Sequence, residues 1–300
     1  LSDRILSYEI PEEYEGHKIH EFLTSKGYSV KLQTELKKNE ECVKLNGTPA
    51  FLNRVLTGGD TLNICIKQTC SSEKIPPVNI DIDIIYEDED IVVVNKPAHM
   101  PIHPSMNNYE NTLGNALAYR YLKEGDKFVY RCINRLDRDT TGLTVIARNM
   151  LSACVLYDQM VSRQIKRTYF AVCEGVFESR MGTINMPLCR KPDSAIERMV
   201  DYKNGEEAIT HYEVMGTDGR LSLVKLWLDT GRTHQIRVHM KAAGHPLIGD
   251  FLYNPDNKDM DRQALHAGEL RLIHPVNGNR LDFLAPLPGD MKKTVAGFFS

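Results

Sequence analysis

At Pro76-Pro77 the hydrophobic pattern of this 300-residue chain changes, and that change limits the available folds more than any other feature. Before the pair, apolar residues at helical spacing alternate with short strand-like runs. After it, strand-like runs outnumber helical stretches and are unevenly spaced, which excludes a regular βαβ repeat. The pattern predicts two units: a small α/β domain at 1–70 and a large α+β domain at 79–300, joined by a linker at 71–78. Turn residues from Cys70 to Lys74 and the extended Pro-Pro pair mark the boundary.

Within the small unit, Ile19, Phe22 and Leu23 share one helical face, and Gly27 is a stop for that helix. A second helix is expected from Lys31 to about Asn39. Val43 to Leu45 reads as a strand entering an Asn46-Gly47 turn, the best local hairpin signal in the chain. Gly58-Gly59-Asp60 is a further turn, and Thr61 to Ile66 alternates as a closing strand.

In the large unit, Ile80, Ile82 and Ile84 alternate with polar residues, and Ile91 to Val94 follows an acidic turn. Further strands are expected at 145–147, 168–173, 208–214 and 221–228. Helices are expected near 112–122, 151–161 and 235–243. We expect a large mixed, mainly antiparallel sheet with flanking helices.

Composition narrows the function classes. Hydrophobic residues form 42% and charged residues 26%, ordinary for a globular protein, so a disordered chain is excluded. The 37 basic and 40 acidic side chains give a net charge of −3, which excludes histone-like binding by bulk charge. It leaves a local basic groove open. The longest strongly apolar run, Ile91 to Val94, is far short of a membrane span. No secretory leader is apparent, and the chain opens on Leu1 as a trimmed chain would. The seven cysteines are an odd number without two-residue gaps, so reduced thiols and a cytoplasmic location are expected. No phosphate loop, dinucleotide fingerprint, nucleophile elbow or zincin helix is present. His99 and His103 are four apart, but Pro101 between them opposes a shared helix. We therefore expect side-chain chemistry with no metal and no cofactor.

Three stretches carry candidate chemistry. Residues 134–143, Asn-Arg-Leu-Asp-Arg-Asp-Thr-Thr-Gly-Leu, can hold a carboxylate on a loop between guanidinium groups. Such neighbours favour the ionised form that a nucleophile or base requires, although a salt-bridged surface turn would look the same. Residues 164–172 lead basic side chains into a strand holding Tyr169, which can stack on a base or simply pack in a sheet. Residues 230–239, Thr-Gly-Arg-Thr-His-Gln-Ile-Arg-Val-His, place cations at a helix start, where the dipole disfavours them. That conflict favours function. Arg232 and Arg237 are five apart, so one can reach a phosphate while the other enters a site.

These stretches resemble the RluA-type pseudouridine synthases, which isomerise uridine in RNA. Asn134 to Leu143 is similar to the family's HRLDxxTSGL motif, and Leu228 to His239 matches LxTGRTHQIRVH. Asn95-Lys96-Pro97 with His103-Pro104, Gly244 to Asp250 with Tyr253, Leu265-His266-Ala267 and His274-Pro275 follow in family order. The N-terminal fifty residues resemble the small RNA-binding domain of the ribosomal-protein S-four type.

The resemblance implies roles. Asp137 matches the catalytic aspartate, Tyr169 the tyrosine beside the target base and Arg237 the arginine paired with the aspartate. Arg135 matches the arginine that holds the vacated position in the RNA, and Leu265 is expected to pack under the base. Arg232 and His234 are placed as substrate contacts. Asn134 and Thr141 depart from the usual histidine and serine. Asparagine keeps hydrogen bonding but carries no charge, so Asn134 is expected to tune rate or loop fit.

The implied reaction needs no cofactor. The implied partner is RNA, ribosomal RNA ahead of transfer RNA, with no membrane and a monomeric chain. Two alternatives remain at this stage. One is a non-catalytic RNA-binding or ribosome-assembly protein, which only Asn134 favours. The other is a hydrolase built on Asp137 with His234 or His239. Charge is unevenly spread: residues 131–169 hold seven basic against three acidic side chains, and 220–245 hold five against one. Both candidate-site segments are thus basic within an acidic chain.

Overall fold

The computed structural model describes residues 3–68, 71–72, 74–106 and 108–298. Cys70 and Glu73, at the expected domain boundary, and Leu1 lie outside the described residues. The first sheet is antiparallel, with β1 (Arg4–Glu9), β4 (Thr61–Ile66), β2 (Val43–Leu45) and β3 (Thr48–Pro49) side by side in that order. Against it lie α1 (Ile19–Ser25) and α2 (Val30–Leu36). The expected apolar face forms: Ile19, Phe22 and Leu23 are buried with Leu62 and Ile64 of β4. Asn46 (φ 51°) and Gly47 (φ 80°) both take the left-handed conformation that a two-residue hairpin turn with primed geometry requires.

Two expectations shift here. Helix α2 ends at Leu36 rather than near Asn39. Asn39 instead accepts the Glu41 N–H and opens a short 3-10 turn, competing with helix continuation as asparagine side chains do. Strand β1 was not foreseen, because its six residues carry only one fully buried position.

The second sheet has nine strands. They are β5 (Asp83–Glu87), β6 (Ile91–Lys96), β7 (Thr141–Ala147), β8 (Lys166–Glu174), β9 (Met181–Asn185), β12 (Ile209–Thr217), β13 (Leu221–Leu228), β14 (Leu265–Ile273) and β15 (Arg280–Leu284). Their order is β5-β6-β7-β14-β8-β13-β12-β9, with β15 on β14. Only β7 and β14 run parallel among the described pairs, so the sheet is mixed and mainly antiparallel. A separate hairpin joins β10 (Leu188–Arg190) and β11 (Arg198–Val200). Helices α3 (Leu113–Lys123), α4 (Met150–Val161), α5 (Gln235–Ala242) and α6 (Gly289–Thr294) flank the sheets. The first two begin at asparagine or threonine caps: Thr112 accepts the Asn115 N–H and Asn149 accepts the Ser152 N–H. The expected strand over Ile80–Ile84 starts only at Asp83, although Ile80 and Ile82 still pack on the core.

The unbroken run Ile91–Val94 has a direct cause. Val92 and Val94 join a core with Leu117 of α3, Tyr169 of β8 and Ile236 of α5, while Ile91 and Val93 join another with Leu156 of α4. A strand buried on both faces needs no polar alternation. The small sheet docks on the large one through Arg4, whose guanidinium meets Asp90 at 2.8 and 3.0 Å. Asp90 is also held by Asn149 at 2.7 Å, and Leu151 of α4 completes the small core. The described cysteines carry no disulfide, and no described helix is long and apolar enough to cross a membrane.

Candidate active site

Asp137 sits on the loop between α3 and β7, and that loop is pinned from below. Asn134 is 2% exposed; its amide donates to the Leu143 carbonyl at 3.1 Å and accepts the Val145 N–H at 2.8 Å. The side chain that departs from the family motif therefore faces β7 rather than solvent. Lys96, fully buried, donates to the carbonyls of Pro97, Met100 and Arg138 at 2.7, 2.9 and 2.9 Å. Burial lowers its pKa to about 7, against the upward pull of Asp139 and Asp137. After the loop, Gly142 (φ 111°) crosses β14 so closely that a Cβ would lie 2.2 Å from the Ala267 carbonyl oxygen. Glycine is required there. The Thr141 hydroxyl lies 2.8 Å from His266 Nδ1.

From the other side comes α5. Gln235 locks the turn before it: its carbonyl oxygen accepts the Thr230 hydroxyl and the Arg232 N–H, and its amide donates to the Ile209 carbonyl. Arg237, in the first turn of the helix, is 2% exposed. It donates to Asp137 Oδ2 at 3.0 Å through Nη1 and to both oxygens of Asp250 at 2.7 Å through Nε and Nη2. Burial opposes the Arg237 charge, but the hydrogen bonds and charge of Asp250, with those of Asp137, raise its pKa above the ordinary value. His234 Nε2 lies 3.7 Å from the same Asp137 oxygen. Burial holds its imidazole below the ordinary pKa despite Asp137.

Tyr169 and Leu265 come from adjacent strands, buried at 5% and 4% exposure. One depression is lined by Arg135, Asp137, Tyr169, Arg232, His234, Arg237 and Leu265, the full set expected from the sequence. It opens into a groove of about 1370 Å³ whose walls include Arg163, Lys166, Arg167 and Trp227. Arg135 and Arg232 are exposed there; Arg232 pairs with Glu206 and donates to the Glu207 carbonyl.

Three participants were not assigned from sequence. Asp250, fully buried, sets Arg237; Tyr253 hydrogen-bonds His234; Lys96 anchors the loop. All three stood inside recognised motifs, but nothing in one sequence said which partner each would meet. His239 stands apart. It bonds Thr210 and the Met186 carbonyl, which removes it from any pairing with Asp137.

Comparison with known proteins gives the family of the chain. The RNA pseudouridylate synthase family model matches residues 90–242, which hold Asp137, Tyr169 and Arg237. The chain is 39% identical over 260 residues to the uncharacterized RNA pseudouridine synthase YhcT of Bacillus subtilis (strain 168), covering 86% of this chain and 85% of the relative. It is 37% identical over 267 residues to ribosomal large subunit pseudouridine synthase D of Haemophilus influenzae, covering 83% and 81%. Among solved structures, human RNA pseudouridylate synthase domain containing 1 superposes with a TM-score of 0.59 at 27% identity, covering 70% of this chain and 85% of that one. The chain belongs to the RNA pseudouridylate synthase family, enzymes that isomerise uridine in RNA to pseudouridine.

Proposed function

We propose that this enzyme acts on ribosomal RNA, with Asp137 as its reacting carboxylate. The observation that carries this reading is the ion pair of Asp137 with Arg237 at the point where a basic groove meets a pocket lined by Tyr169 and Leu265. Ribosomal RNA is favoured because several relatives are named for the ribosomal large subunit. Residues 1–70 serve as a second RNA contact, residues 71–78 as the connection and residues 79–300 as the catalytic domain.

Isomerisation breaks the bond from ribose C1′ to uracil N1, turns the base and forms a bond from C1′ to C5; C5 loses its proton and N1 gains one. The uridine must leave its stack first. Arg135, exposed at the mouth, holds the vacated position in the RNA. Tyr169 and Leu265 enclose the base. Asp137 acts on the ribose, either attacking C1′ or removing the C2′ proton on a glycal route; both need the ionised carboxylate beside the sugar. RNA tritiated at uracil C5 should release tritium when incubated with the enzyme. Mapping ribosomal RNA pseudouridines with and without the gene tests the substrate; an unchanged ribosomal map with changed transfer RNA would overturn that choice.

The groove makes a separate prediction. Trp227 is the one tryptophan in the chain and lines the groove, so RNA binding should change its fluorescence. Affinity should fall with salt, and Arg163→Ala or Lys166→Ala should each reduce the slope of log K against log salt by about 1. Slopes equal to wild type in both variants would place the RNA elsewhere.

A further inference from the structure

His234 has a conformation that its neighbours must enforce. Its φ is +56°, the left-handed region that a non-glycine residue rarely adopts, and it stands at the start of α5. The Gln235 latch on Thr230, Arg232 and Ile209 holds the turn in that shape. The consequence is an imidazole only 13% exposed, with one nitrogen toward Asp137 and the other toward Tyr253.

Hydrogen-bond accounting favours one of the two ring tautomers. The Tyr253 oxygen accepts the Arg198 backbone N–H at 2.8 Å and lies 2.9 Å from His234 Nδ1. Tyr253 is 6% exposed, and no other acceptor for its hydroxyl proton is found among the described residues. If Nδ1 were the donor, that buried proton would have no partner, at a cost comparable to a lost hydrogen bond. The arrangement that leaves no such proton unpaired has the hydroxyl donating to Nδ1 and the ring proton on Nε2. Nε2 is the nitrogen that lies 3.7 Å from Asp137 Oδ2, the oxygen that accepts from Arg237. Among the described residues no hydrogen bond reaches Asp137 Oδ1.

We propose that His234 is a positioning residue: its Nε2–H, fixed in that tautomer by Tyr253, joins Arg237 in holding Oδ2 of Asp137, so that Oδ1 is the oxygen that acts on the nucleoside. The inference rests on Asp137 being the reacting carboxylate. At 3.7 Å the His234 contact is longer than a hydrogen bond, and the proposal requires it to close to hydrogen-bond distance when the nucleoside is bound.

The test begins with the wild-type enzyme. Ring-nitrogen NMR of histidine-labelled protein, with the His234 signals assigned by their loss in His234→Gln, should show Nε2 protonated and Nδ1 bare. Tyr253→Phe removes the donor and should shift that signal toward a mixture of tautomers. His234→Ala should lower kcat about 100-fold with KM nearly unchanged, the loss expected for a misplaced reacting group. In His234→Gln the side-chain amide can replace the N–H, so activity should return to within about tenfold of wild type. Wild-type protein protonated at Nδ1, or a His234→Ala enzyme with full kcat, would overturn the proposal. Asp137→Asn run alongside separates the two layers. If that variant stays active, the site reading itself fails; if it is dead while His234→Ala is fully active, only the role of His234 fails.

Discussion

Asp137→Asn should form no pseudouridine and release no C5 tritium, a loss of at least about 10⁴-fold, while RNA affinity stays within a few-fold of wild type. The substitution keeps size and shape but removes the carboxylate that either route requires. The surroundings make it a clean test. Removing one partner of a buried ion pair usually strands the other charge, at about 3–5 kcal/mol. Here Arg237 keeps both oxygens of Asp250 at 2.7 Å, so its guanidinium stays paired when Asp137 is neutralised. Asp137 itself is 26% exposed, and an amide at that depth is still solvated on one side. Thermal stability should therefore change little, and lost turnover can be assigned to chemistry. Single-turnover assays with tritiated RNA, together with a fluorescence titration on Trp227, measure the two quantities. Pseudouridine formation near the wild-type rate would remove Asp137 from the mechanism.

How far the sequence reached depended on the range of the interaction. Elements set by local pattern were legible: β13 forms over Leu221–Leu228 as expected, and the Asn46-Gly47 turn adopts the predicted hairpin shape. The motif residues were legible too, because Asp137, Tyr169 and Arg237 stand in long segments whose order leaves little freedom. Strand β14 was not foreseen, although it is the central partner of both β7 and β8. Its bulge between Ala267 and Glu269 breaks the alternation that would have marked it. Long-range partners were hidden for the same reason. Asp250 reads as a turn aspartate after a glycine, and only the fold brings it under Arg237. Asn134 shows the reverse case. Its chemistry suggested a tuned active site, and the fold turns it onto the backbone of β7.

Lys96→Met should cost both stability and turnover, for one physical reason. Three backbone carbonyls converge on its nitrogen; below about pH 7 the ammonium gives each of them a donor, and above it the neutral amine, relieved of the buried charge, still serves two. Methionine fills much of the same space and donates nothing. Each stranded carbonyl costs about 1–3 kcal/mol, and partial relaxation brings the expected total to about 3–5 kcal/mol. For a chain of this length that lowers the melting temperature by about 5–10 °C. One of the three carbonyls belongs to Arg138, the residue after Asp137, so the loop shifts where the chemistry occurs. A displacement of about 1 Å suffices to reduce kcat about 100-fold. The pH dependence distinguishes this account from simple loss of packing. Lys96 titrates at about 7 in the folded chain, against about 10.4 for an unfolded lysine. Between those values the unfolded state binds the extra proton, so the Lys96 contribution to stability grows as pH rises from about 7 to about 10 and is lost as pH falls through 7. Denaturant melts across that window should show a rising component in the wild type that Lys96→Met lacks. Parallel pH profiles in the two proteins would mean that Lys96 is not the buried titrating group, and wild-type turnover in the variant would mean that the loop is held by something else.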